Sequence, residues 1–355
     1  MPNSKALRQA PDDAVPISAR QIELNALYLQ NIADNRSPYY GVRLYTRGEL
    51  RWILDERGWR TDDDNEDDAA LPHLGGVVLR DVVLQNQQFH YADLREADFV
   101  SADLRGVSLN YAQLQGANFS DSDLSGAYLN WSDASEALFM RAQCANASFA
   151  GTNLTNARCE SIQLEGAHLL LNAILRGAIL ANAQMNYATL VDVILESAFL
   201  QNASLVGVEC SRVSLVGSNL DNANLHGASL RGADMRRVSL NSAQLQTANL
   251  KDADLQGALL VGALATGADF ERAMLSEANL QKANLERADL RGADLRGADL
   301  RDARLVWANL QGAHLNATTL MKGAMLQSAD FQEAELGGVD VSETKSYGTK
   351  WPAES

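Results

Sequence analysis

A five-residue repeat fills most of this chain and constrains its fold more than any other feature. It is clearest in residues 288–301, which read ADLRG-ADLRG-ADLR. If the Leu is taken as the centre of each unit, a small residue, usually Ala, stands two positions earlier. Asp or Asn stands one position earlier, and two polar or glycine positions follow the centre. A repeat this regular indicates an architecture in which successive units stack on one another.

The repeat continues far beyond that window, with two breaks. Its centres fall every five residues in three runs, from Leu79 to Leu169, from Leu175 to Leu320 and from Leu326 to Val341. Single-residue insertions near Leu170 and Met321 separate the runs, which together hold 53 units. All six prolines lie outside residues 77–341. Because proline cannot donate a hydrogen bond to a β ladder, its exclusion favours paired, extended backbone throughout this range.

A period of five fits neither a plain helix nor a plain strand. On a helix of about 3.6 residues per turn the Leu side chains would drift around the axis, and a strand alternates every two residues. Within one unit, however, the small residue and the Leu are two apart, so they share one face of a short extended segment. The Asp or Asn between them points outward. Each unit is therefore predicted to be a short strand followed by a corner, with Ala and Leu inside.

These units resemble the pentapeptide repeat family, whose consensus is A(D/N)LXX, along about three quarters of the chain. The resemblance implies an all-β solenoid, namely a right-handed quadrilateral parallel β-helix with four units per coil. Residues about 20 apart would then stack on the same face at a spacing of about 4.8 Å, and the repeats would form ~13 coils and a rod of roughly 63 Å. Phe99, Phe119 and Phe139 would form one such stack in the core.

Charge and cysteine usage narrow the classes of partner and site. The formal net charge of −15 disfavours bare nucleic acid or an anionic membrane as a partner. The three cysteines, Cys144, Cys159 and Cys210, all occupy unit centres, which predicts small buried side chains instead of disulfides or a metal site. The first 16 residues do not resemble a signal peptide, and no apolar stretch is long enough to span a membrane. We therefore expect a cytoplasmic protein without a cofactor.

The residues before the repeats predict a helical extension. We expect residues 1–16 to be disordered, residues 17–60 to form two helices, and residues 61–76 to form an acidic linker. Capping boxes at Ser18–Gln21 and Thr46–Glu49 would begin the two helices. Between the helices, Tyr39 to Tyr45 is predicted to be a short extended segment, and at the other end of the chain residues 342–355 form a short polar tail.

The predicted apolar face of the first helix consists of Leu24, Leu27, Tyr28 and Ile32, and Gly58 would cap the second. Because two helices cannot bury a core of their own, they should cap the nearby end of the solenoid. Two other interpretations stay open. One is a helix-turn-helix, against which the long connection and the acidic tail argue, and the other is a docking module for a partner. The C-terminal end, which has no helices to cover it, is the predicted site of self-association.

The outer surface of the solenoid is where a partner would bind. Tyr91, Tyr111 and Trp131 follow one another at intervals of 20, each two residues past a centre, so they should form a column. Aromatic side chains anchor interfaces well, although a column could also pack within the molecule. The most acidic surface surrounds it, with nine acidic and three basic side chains in residues 77–139. The acidic candidates are Asp93, Asp98, Asp103 and Asp123.

A second candidate surface is apolar. Ile174 and Ile194 are 20 apart at the normally polar position before a centre, and so are Ile179 and Phe199. A contiguous exposed apolar patch usually marks a site of association. The alternative is that the insertion at Leu170 or a chain terminus covers these side chains.

Catalysis finds little support in the sequence. The five histidines are scattered, and there is no glycine-rich phosphate loop, nucleophile motif or insertion long enough to build a cleft. Two binding functions remain. The first is a rigid, non-enzymatic scaffold that binds another protein through a lateral face. The second is imitation of duplex DNA, because some members of the resembled family are DNA-shaped, bind DNA gyrase and protect it from quinolones.

The negative charge density of the repeats favours the scaffold over the imitation of DNA. Duplex DNA carries one charge per ~1.7 Å, so roughly 63 Å of duplex would carry about 37 negative charges. Residues 77–341 hold 30 acidic and 19 basic side chains, which is far short of that density. The chain also departs from the gyrase-protecting members in lacking a C-terminal dimerisation helix and long loops. The scaffold is therefore the first prediction, and gyrase binding through the acidic first third is the second.

Overall fold

The repeats fold into coils that group into two compact units. The structure is a computed structural model that describes residues 18–56, 73–168 and 172–353. The first unit covers Met1–His168 and the second covers Leu169–Ser355. Two helices, α1 (Ser18–Ala33) and α2 (Arg47–Glu56), belong to the first unit, and no described helix has the length and hydropathy to cross a membrane. From His73 onward, the described residues form coils held by isolated parallel β bridges.

The bridges join each coil to the next. In the first unit they link residues 20 apart, from His73↔Asp93 to Ser148↔His168, and the second unit begins the same way at Ile174↔Ile194. Four bridge positions occur in each coil, so each coil has four faces, as the family resemblance implies. We name a face after its first bridge residue. The first unit has the His73, Val78, Val83 and Gln88 faces, and the second has the Ile174, Ile179, Gln184 and Thr189 faces.

The predicted inward positions form the core of both units. Along the coils the centre and the small residue two before it are buried, whereas the residue between them sits at a bridge and points outward. Phe99, Phe119 and Phe139 stack with centroids 5.0 and 4.9 Å apart, which confirms the predicted core stack. The three cysteines are buried and free, and burial raises the pKa of the Cys159 thiol to about 12. A thiol with so high a pKa stays protonated and inert near neutral pH.

The two residues after each centre form a tight turn. The N–H of the third residue past the centre donates to the carbonyl of the centre, as Ala248 does to Leu245 at 3.0 Å. The second turn residue has a positive φ, which suits Gly and Asn and is uncommon for other residue types. Tyr91, Tyr111 and Trp131 nevertheless adopt it, each with φ 59°. This backbone places their side chains at an outer corner.

The segment between the helices adds a partial coil to the first coil of the repeats. Arg43 pairs with Val78 in a parallel bridge. Gly41 N–H donates to Gly76 O at 2.6 Å, and Leu44 N–H donates to Val78 O at 2.9 Å. The predicted extended segment is confirmed only from Val42 to Tyr45, because residues 39–41 form a turn closed by a hydrogen bond from Val42 N–H to Tyr39 O at 3.0 Å. The bonds to Gly76 and Val78 give the first edge of the ladder a backbone partner, which an open solenoid end would lack.

The cap of α2 is confirmed. Thr46 Oγ1 accepts a hydrogen bond from Glu49 N–H at 3.1 Å, and the Glu49 carboxylate accepts one from Tyr45 N–H at 2.6 Å. The carboxylate therefore reaches one residue further back than in a standard capping box. The side chain of Ser18, and with it the other predicted capping box, lies outside the described residues, as does Gly58.

The predicted apolar face of α1 is only partly correct. Leu24 is fully buried, but Leu27 is 37% and Ile32 is 50% exposed. The physical reason is that Asn31 takes the inward position of the last turn. Its amide group donates to the carbonyls of Pro38 and Tyr40, both at 3.1 Å, and so ties the helix to the segment that follows it.

The second single-residue insertion lies one five-residue repeat earlier than the sequence predicts. Leu320 is a bridge residue paired with Asp299 and is 44% exposed, so its prediction as a centre is wrong. Met321 is the buried centre, and Thr319 takes the inward small position before it. Thr319 can do so because its hydroxyl donates to Leu295 O at 2.9 Å, which satisfies the buried polar group.

The coils extend beyond the predicted bounds of 77–341 at both ends. His73 is the first bridge residue of the repeats, and Lys350, paired with Asp330, is the last. Trp351 stacks on Phe331 with centroids 5.0 Å apart. The described part of the predicted tail is therefore coil. Its inward residues are less buried than those of earlier coils.

Candidate partner-binding surface

Tyr91, Tyr111 and Trp131 form a column at the corner between the Gln88 and His73 faces of the first unit. The rings of Tyr91 and Tyr111 stack with centroids 4.9 Å apart and planes 10° from parallel. Trp131 covers Gly151, the corner residue one coil further on, where an added Cβ would lie 2.3 Å from Trp131 Cε3. The three side chains are 41%, 47% and 51% exposed. They form an outer aromatic ridge.

Tyr128 adds a fourth exposed ring that the analysis of the sequence missed. It occupies the bridge position of the Gln88 face between Ser108 and Ser148, three residues before Trp131, and is 51% exposed. Bridge positions are normally polar in this chain, so an aromatic residue at one of them could have identified Tyr128 from the sequence as an exposed ring.

The four predicted acidic residues do not form one surface. Asp103 and Asp123 are neighbours on the Val83 face, whereas Asp98 lies on the Val78 face and Asp93 on the His73 face. Each lies beside an arginine, at the following distances: Asp93 to Arg95 2.8 Å, Asp98 to Arg80 2.6 Å, Asp103 to Arg105 2.7 Å and Asp123 to Arg105 3.7 Å. The predicted acidic surface is therefore largely neutralised.

An Asp at a bridge with an Arg two residues later recurs as an internal clamp. In the pair of Asp294 and Arg296 the guanidinium donates to both carboxylate oxygens, at 2.8 and 2.7 Å, and the Arg backbone N–H donates at 3.1 Å. Similar clamps occur at Asp234 and Arg236, Asp289 and Arg291, and Asp299 and Arg301. Because each clamp is neutral as a whole, these residues present little net charge to a partner.

Asp103 offers a direct test of such a clamp. Hydrogen bonds from Arg105 and Gln85 lower the pKa of Asp103 to about 2. In Arg105→Gln we expect this pKa to rise toward the ordinary value of about 3.9, as measured by NMR titration of the carboxyl carbons. Because the folded-state pKa lies below the unfolded value, the pair stabilises the protein above about pH 4 and loses that contribution as the pH falls through about 2.

The matched control is Arg141→Gln, whose partner is Asp121 on another part of the coil. This variant should leave the pKa of Asp103 where it is. A pKa of Asp103 that stays near about 2 in Arg105→Gln would show that the clamp is not its cause.

Three acidic side chains at the His73 face or the corner that follows it have no such clamp. Asp133, on the face itself, accepts from neutral donors, including Gln115 Nε2 at 2.8 Å and Asn153 Nδ2 at 3.0 Å. Glu96 and Glu136 are exposed at the corner that follows the face. Among the described residues no salt bridge reaches these three carboxylates. The sequence signal was that Ser135, and not Arg, stands two residues after Asp133.

The predicted apolar patch of the second unit has the expected neighbours. Ile174 pairs with Ile194, and Ile179 pairs with Phe199. Phe199 is 46% exposed, and the three isoleucines are half-buried. Leu170, at the insertion predicted as one possible cover, lies outside the described residues.

One acidic group in the described chain has the compactness of a metal site. Ligand atoms of Asp269, Glu271 and Asp289, on the Thr189 face, lie within 4.8 Å of one another. Basic side chains already fill this position, however, since Lys251 Nζ donates to Glu271 at 2.7 Å and Arg291 at 3.2 Å. The carboxylates are neutralised by the protein itself, so the geometry does not call for a cation.

The repeats match the family model described as pentapeptide repeats, in eight copies. The matches include residues 73–106, 102–139, 135–169, 203–241, 218–257, 253–292 and 278–316. They cover more than half of the chain. No curated protein sequence matches it significantly.

Several solved structures are similar. HetL, a pentapeptide repeat protein involved in heterocyst differentiation regulation in the cyanobacterium Nostoc sp. strain PCC 7120, is 27% identical over 87% of this chain and 98% of its own, with a TM-score of 0.23. QnrB1, a plasmid-mediated fluoroquinolone resistance protein, is 20% identical over 47% and 90%, with a TM-score of 0.22. Rfr23 from the cyanobacterium Cyanothece 51142 is 35% identical over 29% and 64%, with a TM-score of 0.18.

Proposed function

The chain belongs to the pentapeptide repeat family, and we propose that it is a non-enzymatic scaffold that binds another protein through its first unit. The proposed docking surface is the His73 face with its two corners. One corner carries the aromatic column of Tyr91, Tyr111 and Trp131, and the other carries Glu96 and Glu136. We further propose that the coils wind right-handed, as the family resemblance implies.

The observation that carries this proposal is the exposure of the aromatic column at corners that do not favour aromatic residues. A positive φ is strained for bulky side chains and is adopted most easily by Gly and Asn. The turn itself therefore does not explain three aromatic residues in succession. Burial does not explain them either, because roughly half of each side chain is exposed. Exposed Tyr and Trp side chains that gather on one surface are typical of binding hot spots.

We expect the triple variant Tyr91→Asn, Tyr111→Asn, Trp131→Asn to lose its partner while keeping its fold. Asn already occupies equivalent corners with positive φ, such as Asn146 and Asn156, so the turns should be preserved. An affinity pull-down from the native host, with the wild-type protein and the variant compared side by side, measures the effect. A partner enriched at least tenfold by the wild type should fall to background with the variant.

The matched control is Tyr187→Asn with Trp307→Asn in the second unit. Both residues are exposed aromatics at corners with positive φ, so this double variant changes the same chemistry elsewhere. It should retain the partner. Equal recovery with the wild type, the triple variant and the control would refute the docking surface.

Binding to DNA gyrase is the alternative, and the charges weigh against it. Asp93, Asp98, Asp103 and Asp123 lie on three faces, and each is beside an arginine, whereas a DNA mimic needs a continuous row of uncompensated negative charge. Gyrase subunits belong in the pull-down as an explicit query. Their recovery with the wild-type protein would favour the alternative over a general scaffold.

A further inference from the structure

The two corners of the docking surface differ in chemistry, and together they specify what kind of partner segment fits. One edge is aromatic. The other carries Glu96 and Glu136, with Asp133 on the face between the edges, and no described basic side chain forms a salt bridge with any of them. They differ in this from Asp98, Asp103 and Asp121 of the same unit, each of which lies beside an arginine. Arg95, which precedes Glu96 at this corner, pairs instead with Asp93 at 2.8 Å.

The width of the face sets the size of the segment. A face consists of about three extended residues, so its two edges lie roughly 10 Å apart. A single peptide chain running across the coils fills a strip of this width and can direct side chains to both edges. The chemistry that suits both edges is arginine, because its guanidinium pairs with carboxylates and also stacks on aromatic rings.

The spacing of the two glutamates along the face indicates the backbone conformation of the bound segment. Glu96 and Glu136 occupy the same corner two coils apart, with Gly116 between them, and are therefore separated by roughly 9.6 Å. In a polyproline II helix, residues three apart lie on the same side and about 9.3 Å from each other. In a β-strand the same side recurs at even intervals, of roughly 7 or 13 Å, neither of which matches. Proline-rich segments also dock readily on aromatic side chains.

We propose that the docking surface binds an extended, proline-rich segment of another protein in polyproline II conformation, with arginines three residues apart. The arginines pair with Glu96 and Glu136, with Asp133 adding negative charge between them, and the prolines pack on the aromatic column. This inference rests on the proposed scaffold function and adds the chemistry of its partner. Nucleic acid and anionic membranes are disfavoured as occupants, because the carboxylates would repel them.

The test uses the full chain and a synthetic peptide, Pro-Pro-Arg repeated three times, with binding followed by fluorescence anisotropy. The same peptide with Glu in place of Arg is the charge control, and one with Gly in place of Pro is the conformational control. We expect the arginine peptide to bind at least tenfold more tightly than the glutamate peptide and to weaken as salt is raised. We also expect it to bind more tightly than the glycine peptide, since proline pre-organises the segment.

Variants locate the site. The double variant Glu96→Gln, Glu136→Gln should weaken binding about fivefold or more and reduce its salt dependence, and Trp131→Asn should weaken it at least tenfold. Asp121→Asn, a neutralisation at a corner already paired with Arg141, should change nothing. Equal affinity for the arginine and glutamate peptides, or no effect of the double variant, would overturn the inference. If the aromatic variant loses its captured partner while the peptide does not bind, the scaffold stands and only this inference fails.

Discussion

Replacement of Leu245 by proline is expected to destroy the cooperative unfolding of the second unit. Leu245 is fully buried, and its N–H donates to Leu264 O at 2.7 Å in the ladder. The substitution removes a core side chain, at a cost of about 2–5 kcal/mol, and a ladder donor, at about 1–3 kcal/mol. Their sum approaches the whole stability of a typical domain, about 5–15 kcal/mol. Circular dichroism should show a melting transition lowered by more than ~10 °C or lost altogether.

The neighbouring substitution Gln246→Pro is the matched control. Gln246 is the first residue of the turn closed by Ala248 N–H and Leu245 O, and its own N–H has no acceptor among the described residues. Proline is favoured at the first central position of such turns, so this variant should keep most of its stability. If Leu245→Pro instead melted like the wild type, the assignment of this region to a hydrogen-bonded coil would be incorrect.

Deletion of residues 1–70 is expected to cause aggregation. The deletion removes the partial coil and leaves Gly76 O, Val78 O and Val78 N–H without their hydrogen-bond partners. It also uncovers the apolar interior of the first coil at Leu74 and Val77. An unpaired ladder edge beside exposed apolar surface recruits other chains. Light scattering should show large species in place of the monodisperse full-length protein.

Deletion of residues 1–17 alone is the control, because it keeps every described contact of the helices and the partial coil. This shorter deletion should stay monodisperse. A monodisperse and equally stable product lacking residues 1–70 would mean that the helices are a separate docking module and not a cap. Self-association through the C-terminal end stays a prediction.

The five-residue pattern determined the fold by itself. In an extended segment, residues two apart point the same way, so the alternation of Ala, Asp and Leu fixes which side chains enter the core. The two residues that follow can only turn. These rules act within one five-residue repeat. Together with the four repeats per coil that the family resemblance implies, they predict the bridges 20 residues apart, the Phe99 stack and the aromatic column. They misplaced Leu320, since Leu at a bridge position and Leu at a centre look alike in sequence.

Only the tertiary structure decided which of the outward side chains are available to a partner. The Asp103 carboxylate accepts hydrogen bonds from Arg105 in its own five-residue repeat and from Gln85 in the preceding coil, so it is not free to bind a partner. The pairing of Asp103 with Gln85, like that of Asp98 with Arg80, joins residues 18 positions apart and depends on side-chain conformation, which a five-residue pattern does not contain. For the same reason the sequence grouped four acidic residues that lie on three faces. It missed Asp133 and Glu136, whose negative charge persists because their neighbours on the coils are neutral.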